Sequence, residues 1–188
     1  LCKSKYLQSH TEGIYQTVKR QLAAGKEVLF VGTPCQVAGM IAFCGPALRS
    51  KLLAVDLVCH GVPSDHILDL FAYERQDKID RILSFRDKMD GWQQSFVCNY
   101  LNGNGEQIRV DSKNNVFLQL FSGGLMMRGS CYRCQFCGIR RQSDLTLGDF
   151  WGETEFPAEH YDGVSLVICQ STKGCQKLEG MTSVIKHP

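Results

Sequence analysis

No apolar run in this sequence reaches the length of about 18 residues that a membrane-spanning helix needs. Its first residues, Leu1-Cys2-Lys3-Ser4-Lys5, lack the plan of a signal peptide. An excess of one charge is missing too. The 21 Lys and Arg against 19 Asp and Glu leave a net +2, so no strong pull toward nucleic acid or a membrane surface follows. No internal repeat and no low-complexity stretch is present. No G-x-G-x-x-G follows a strand-like run and there is no P-loop, which leaves a Rossmann dinucleotide site unsupported. No Ser-His-Asp or Cys-His arrangement can be argued from residue order. An initiator Met is also lacking, and the chain stops at His187-Pro188, so the sequence reads as a piece of something longer, incomplete at its N-terminus.

What is plentiful is cysteine, with ten in 188 residues. Disulfide scaffolds are small, secreted and loop-rich. This chain is larger, shows no export signal and carries helix and strand patterning. Its hydrophobic fraction of 44% and charged fraction of 21% are ordinary for a globular core. Thiols kept reduced in a cytoplasm fit better, and they point to metal or redox use of some cysteines.

The patterning predicts an α/β fold, with a parallel or mixed sheet flanked by helices, a small β-hairpin and a cysteine-rich loop region. Residues 1–188 read as one domain, with an α/β part over 1–78 and a C-terminal part over 79–188. Ile14, Val18 and Leu22 recur at helical spacing within a helix expected over Thr11 to Ala24, which Gly25 stops. Glu27 to Val31 and Leu52 to Val58 are short apolar runs that suit buried strands. The first turns through Gly32-Thr33-Pro34-Cys35-Gln36 into a helix over Val37 to Phe43. The second runs into Cys59-His60-Gly61-Val62-Pro63, with Ser64 as N-cap of a helix from Asp65 to Gln76. Both loops leave the carboxyl end of a strand, where α/β folds place their ligands, and each carries one cysteine. Strands are expected over Ile79 to Arg86 and Ser95 to Leu101. The Asn102-Gly103-Asn104-Gly105 turn should then pair Gln107 to Val110 back as a hairpin. A short helix over Asn115 to Phe121, an aperiodic stretch from Arg128 to Arg141, and late strands at Leu145 to Leu147 and Ser165 to Ile168 complete the reading.

The strongest local signal is Cys131-Tyr132-Arg133-Cys134-Gln135-Phe136-Cys137. Thiols at i, i+3 and i+6 can converge from a tight loop on a soft metal or an iron–sulfur cluster. Structural zinc sites use two ligand pairs, and no second, separate Cys-x-x-Cys or His-x-x-x-His exists here. Spacing alone therefore favours iron–sulfur and leaves zinc and structural or redox thiols open. A four-iron cluster needs ligands beyond this run, and Cys35 and Cys59 in their strand-end loops are the best candidates. Cys44, Cys98 and Cys169 read as small core residues, while Cys2 and Cys175 are too isolated to read. His60 is either a hydrogen-bond donor to a cluster sulfur or flavin or a surface capping residue. Arg128, Arg133, Arg140 and Arg141 face either a flavin phosphate or an acidic partner, or else solvent. Asp144 and Asp149 either orient a cofactor or cap turns.

Several motifs occur in a fixed order: Val31-Gly32-Thr33-Pro34-Cys35-Gln36, Asp56-Leu57-Val58-Cys59-His60-Gly61-Val62-Pro63-Ser64, Phe85-Arg86-Asp87-Lys88, Cys131-x-x-Cys134, and Ser143-Asp144-Leu145-Thr146-Leu147-Gly148-Asp149-Phe150-Trp151-Gly152. In this register the chain resembles the coenzyme F420 hydrogenase/dehydrogenase beta-subunit family from Ser4 to Val167. The resemblance implies an iron–sulfur flavoprotein oxidoreductase with a 4Fe-4S cluster and FAD. Electrons would pass to a deazaflavin-like coenzyme, as in archaeal relatives, or to another redox partner such as a protein or ferredoxin-like domain. It implies Cys35, Cys59, Cys131 and Cys134 as metal ligands. In many relatives the position of Cys137 is not cysteine, so Cys137 is the alternate that spacing alone would have chosen. Gly32, Thr33, Pro34, His60, Gly61, Gly148 and Asp149 are the candidate cofactor contacts. The glycine-rich segment that precedes Ser4 in the family, and helps bind flavin, is not in this sequence, and neither is a ferredoxin-like domain. Retention of FAD by this piece is thus an open question. Two rival readings stand beside the enzyme: a non-catalytic electron-transfer subunit and a zinc-binding module.

Overall fold

A computed structural model describes residues 6–64, 66–67, 79–84, 86, 98–151 and 163–181. It resolves into two compact units that the chain visits in turn. One comprises 1–9, 60–134 and 152–164, and the other 10–59, 135–151 and 165–188. The fold is α/β, with a four-stranded sheet of which three strands run parallel in one unit and a small antiparallel sheet in the other.

The sheet of the second unit has the order β1 (Val28–Gly32), β2 (Leu52–Leu57), β6 (Leu145–Phe150), β7 (Val164–Cys169). β1 pairs parallel with β2 from Val28↔Leu52 to Gly32↔Asp56. β2 pairs parallel with β6 from Val55↔Leu145 to Leu57↔Leu147. β2 is central and largely buried, which is why it reads as a continuous apolar run rather than an alternating one. Helices α1 (Ile14–Ala23) and α2 (Pro34–Cys44) supply Val18, Leu22, Val37, Met40 and Cys44 to a core shared with Phe30, Leu52 and Ala54. Ile14, expected on the same face, is exposed in the first turn of α1. α2 begins at Pro34, three residues before the expected Val37. Its start is set by chemistry that hydrophobic periodicity does not carry: Thr33 and Gln36 form a capping box and Pro34 occupies the first turn.

A helix that the sequence did not reveal, α4 (Thr172–Glu179), follows β7. It is mostly polar, and its place comes from one buried carboxylate. Asp144 is 1% exposed. Arg49 grips it with two hydrogen bonds of 2.9 and 3.0 Å. The Ala54 N–H donates at 2.8 Å, the Ser171 hydroxyl at 2.6 Å, and Lys173 Nζ stands 3.2 Å away. A Cβ at Gly174 would collide with the Asp144 carbonyl, so the helix can come this close only with glycine there. Burial alone pushes the Asp144 carboxyl up. The hydrogen bonds from Arg49, Ala54 and Ser171, with the charge of Arg49, outweigh it and hold the group below the ordinary carboxylate value.

In the first unit β3 (Ile79–Ser84), β4 (Cys98–Asn102) and β5 (Gln107–Val110) form an antiparallel meander. The expected hairpin is there, with Cys98↔Val110 to Leu101↔Gln107 in register. Asn102 Oδ1 closes its turn by accepting from Asn104 N and Glu106 N, and Gly105 takes φ 78°. Helix α3 (Val116–Ser122), N-capped by Asn115, sets Phe117 and Leu118 against Cys98, Tyr100 and Val110. The helix expected over Asp65 to Gln76 lies outside the described residues except His66 and Ile67, which are helical. Phe85, Asp87, Lys88 and Gly152 also lie outside them, whereas Arg86 is buried.

Replacing Asp144 by Asn would leave Arg49 and Lys173 without their counter-charge. The expected cost is about 3 kcal/mol at pH 7, read as a lower midpoint in urea unfolding. A carboxyl depressed by folding stabilises above its unfolded value of about 3.9. That contribution vanishes as pH falls through the folded value. The variant should therefore lose part of the parent's acid-side decline in stability as well.

Candidate metal centre

The carboxyl ends of β1 and β2 lie side by side, because Gly32 is in register with Asp56. Cys35 follows the first by three residues and Cys59 follows the second by two. Cys35 is exposed at the N-terminus of α2, where unpaired amide groups and the helix dipole favour negative charge. Its Sγ lies 3.2 Å from the Thr33 hydroxyl, which can accept from the thiol or donate to a thiolate. The Thr33 N–H donates to Gln36 Oε1 at 3.0 Å and the Tyr15 hydroxyl to the Gln36 carbonyl at 2.6 Å, which steadies this turn. Burial, and then the charge of Cys35, push the Tyr15 hydroxyl up. Cys59 is half-buried.

Cys137 belongs to the same unit. Arg141 fastens the residue beside it. Its Nε donates to the Gly138 carbonyl at 2.9 Å, and a terminal nitrogen donates to the Leu57 carbonyl at 2.9 Å and stands 3.5 Å from Asp56 Oδ1. The Arg141 side chain is only 10% exposed. It is therefore a half-buried brace, which corrects its reading as part of a solvated basic face. One guanidinium holds both the end of the Cys137 loop and the end of β2.

Cys131 and Cys134 belong to the other unit, on consecutive tight turns. The Cys131 N–H donates to the Arg128 carbonyl at 2.8 Å and the Cys134 N–H to the Cys131 carbonyl at 3.2 Å. The turns are anchored by the Pro63–Met127 bridge, by Arg128 N–H on the Val62 carbonyl, and by the Tyr132 hydroxyl donating to Gly124. Both cysteines are half-buried. His60 Nε2 is 2.8 Å from the Phe121 carbonyl. A carbonyl can only accept, so Nε2 carries the proton and a neutral ring presents Nδ1 as an acceptor. His60 can donate from Nδ1 only as imidazolium.

The candidate glycines have neighbours that explain them. Gly61 has φ 137°, and a Cβ there would meet Met127 Sδ at 2.8 Å. A Cβ at Gly148 would meet Val58 at 2.6 Å, and one at Gly32 would crowd Gln36 and Phe30. Asp149 is exposed, while Thr33 is half-buried and Pro34 buried. Asp144, read as a cofactor orienter or turn cap, is instead the internal tie described above.

None of the described cysteines is in a disulfide. Cys44 and Cys98 are core residues as expected. Cys169 is not, since it is exposed at the end of β7. Among the described residues no group of three or more His, Cys, Asp or Glu is gathered as a metal cage. The donor chemistry nevertheless fits an iron–sulfur cluster: Cys35, Cys59, Cys131 and Cys134 are outside disulfides and exposed or half-buried, Cys35 at a helix start and Cys131 and Cys134 on turns closed by backbone hydrogen bonds.

The family model for the C terminus of the coenzyme F420 hydrogenase/dehydrogenase beta subunit matches residues 25–186, and the chain belongs to that family. The family is one of redox subunits that generally bind iron–sulfur centres and work with partners. No curated protein matches the chain. No helix among the described residues is long and apolar enough to cross a membrane.

Two glycine substitutions separate conformational need from mere presence in a loop. Gly61→Ala should cost about 1–3 kcal/mol through its positive φ and the Met127 collision. Gly129→Ala, with nothing within 4 Å, should stay within about 0.5 kcal/mol of the parent. Urea midpoints at one pH compare them directly.

Proposed function

We propose that both units act together as one iron–sulfur, flavin-linked electron-transfer domain of an oxidoreductase, in which Cys35, Cys59, Cys131 and Cys134 ligate a 4Fe-4S cluster. The observation that carries this reading is the placement of Cys35 and Cys59 on neighbouring loops at the carboxyl ends of register-matched parallel strands. When bound, the cluster moves single electrons and FAD links them to a two-electron hydride step.

The chain's own residues have definable parts in this scheme. The Thr33 hydroxyl donates to the Cys35 sulfur once that sulfur is deprotonated, which lowers the electron density a metal would draw on. The α2 N-terminus stabilises the added negative charge of the reduced state. His60, held by the Phe121 carbonyl, offers Nδ1 to accept a hydrogen bond from a flavin or coenzyme N–H, and Gly32, Gly148 and Asp149 are the flavin contacts at the carboxyl ends of the parallel strands. A deazaflavin-like or other small redox coenzyme is the hydride partner, and a redox protein or ferredoxin-like domain is the electron partner. Thiolate ligation needs a reducing compartment, so the proposed location is the cytoplasm.

Iron, acid-labile sulfide, zinc and flavin should be measured after anaerobic purification. About four irons and four sulfides per chain are expected. Bound flavin then favours the enzyme over a bare electron-transfer subunit, whereas zinc without sulfide, in protein made with ample iron, overturns the reading. Ser at Cys35, Cys59, Cys131 or Cys134 should each remove most of the iron. Cys44→Ser and Cys137→Ser should retain it, and iron loss in Cys137→Ser would move Cys137 into the ligand set.

A further inference from the structure

Cys169 and Cys175 have no part in the proposed centre, yet they flank one short connection between a strand and a helix. Cys169 ends β7, the edge strand of the four-stranded sheet, and is exposed. Cys175 lies in the opening turns of α4 and is half-buried. Six positions apart, they close one short strand-to-helix connection, and each thiol bears on the other, with that interaction the first cause that pushes Cys169 up. The connection between them is firmly held. Gln170 N–H donates to the Asp144 carbonyl at 2.9 Å, and Gln170 Nε2 donates to the Ile139 carbonyl at 2.8 Å and to Thr146 Oγ1 at 3.1 Å. Ser171 caps α4 by accepting from Gly174 N–H while its hydroxyl donates to Asp144, and Cys175 N–H bonds the Ser171 carbonyl at 3.0 Å. Strand end and helix start are thus fixed against the same carboxylate, so joining the two sulfurs needs little loss of chain freedom.

We propose that Cys169 and Cys175 form a redox-active dithiol that exchanges with a low-molecular-weight disulfide of the glutathione class. One cysteine thiolate attacks a sulfur of the small disulfide, whose S–S bond breaks. One half leaves as a thiolate and takes up a proton. The second cysteine loses its proton and attacks the protein-bound sulfur, releasing the other half and closing the Cys169–Cys175 bond. The protein gives up two electrons and two protons, and the small disulfide is reduced to two thiols. The hydrogen bond to Cys175, then burial, then the charges of Cys175 and Glu179 push the Cys169 thiol up, as expected where two sulfurs share a proton. Exchange should therefore quicken as pH rises.

The test uses the full chain, equilibrated anaerobically in reduced and oxidised glutathione mixtures, alkylated and digested. Trypsin cuts after Lys173, between the two cysteines, so a Cys169–Cys175 bond leaves peptides 142–173 and 174–177 joined. The joined pair should grow as the mixture is made more oxidising and disappear as it is made more reducing, while Cys44 and Cys98 stay alkylated. Cys175→Ser and Cys169→Ser should each stop at a glutathione adduct on the remaining cysteine, with iron content equal to the parent's. The proposal is overturned if the two peptides stay separately alkylated across the range. It is equally overturned if either variant loses iron, since these cysteines would then belong to a metal site. Because the peptide readout does not involve iron, failure of the cluster reading would leave it intact.

Discussion

The Asp144 carboxylate meets five partners that are distant along the chain: Arg49, Ala54, Ser171, Lys173 and, through its own carbonyl, Gln170. Each comes from a different stretch of the second unit. Arg49 lies in the turn before β2, Ala54 in β2 itself, and Ser171 and Lys173 at the start of α4. A buried charge without partners costs far more than its removal from water could return. The chain can bury Asp144 only by bringing all of these groups in. Lys173 and Arg49 also donate to the Leu52 carbonyl, so the two cations satisfy the backbone at the start of β2. The tie spans the order β1-β2-β6-β7, because Ala54 lies in β2, β6 begins beside Asp144 and β7 ends beside Gln170.

The carboxyl edge of the sheet follows from that arrangement. With β2 locked between β1 and β6, its far end presents Leu57, Val58 and Cys59. Arg141 then uses the Asp56 carboxylate and the Leu57 carbonyl as anchors, and with them draws in Gly138. Gly148 completes the fit, since only a residue without a Cβ leaves room for Val58. The loop that carries the chemistry is thus positioned by one acidic anchor at each end of the strand, Asp144 near its start and Asp56 near its finish. Both are buried, and both are paired with an arginine.

How far the sequence showed this depended on whether the cause of each element was local. β1, β2 and the β4–β5 hairpin were legible because apolar runs and an Asn-Gly turn act over a few residues. α3 was legible from its short apolar repeat and its Asn115 cap. The start of α2 was misplaced because a capping box, rather than an apolar position, begins that helix. α4 was missed because Thr172-Lys173-Gly174-Cys175-Gln176-Lys177-Leu178-Glu179 is polar and is held by a carboxylate nearly thirty positions away. The same distance concealed Arg49 as a site residue and made Arg141 look like one of several surface cations. The Cys35 and Cys59 loops could be placed at strand ends in advance, since strand and loop are both local features. Their neighbourly register could not, because pairing is a property of the folded sheet.

The cysteines show why number and spacing alone cannot assign a role to a thiol. Cys44 is buried against Met40, and burial pushes its thiol up, partly opposed by Lys19; a protonated, enclosed sulfur is a poor ligand and a poor nucleophile. Cys98 is likewise enclosed between β4 and α3. Cys35 differs in every respect, being exposed, at a helix start and beside a hydroxyl. Cys131-x-x-Cys134-x-x-Cys137 looks in sequence like one unit of three equivalent thiols, yet its members divide. The first two ride on turns tied to Arg128 and Val62, while the third adjoins a glycine fastened by Arg141 to the end of β2. Equal spacing along the chain therefore does not make the three equivalent. What distinguishes them is which framework holds the adjacent backbone, and for Cys137 that framework is the same strand end that carries Cys59.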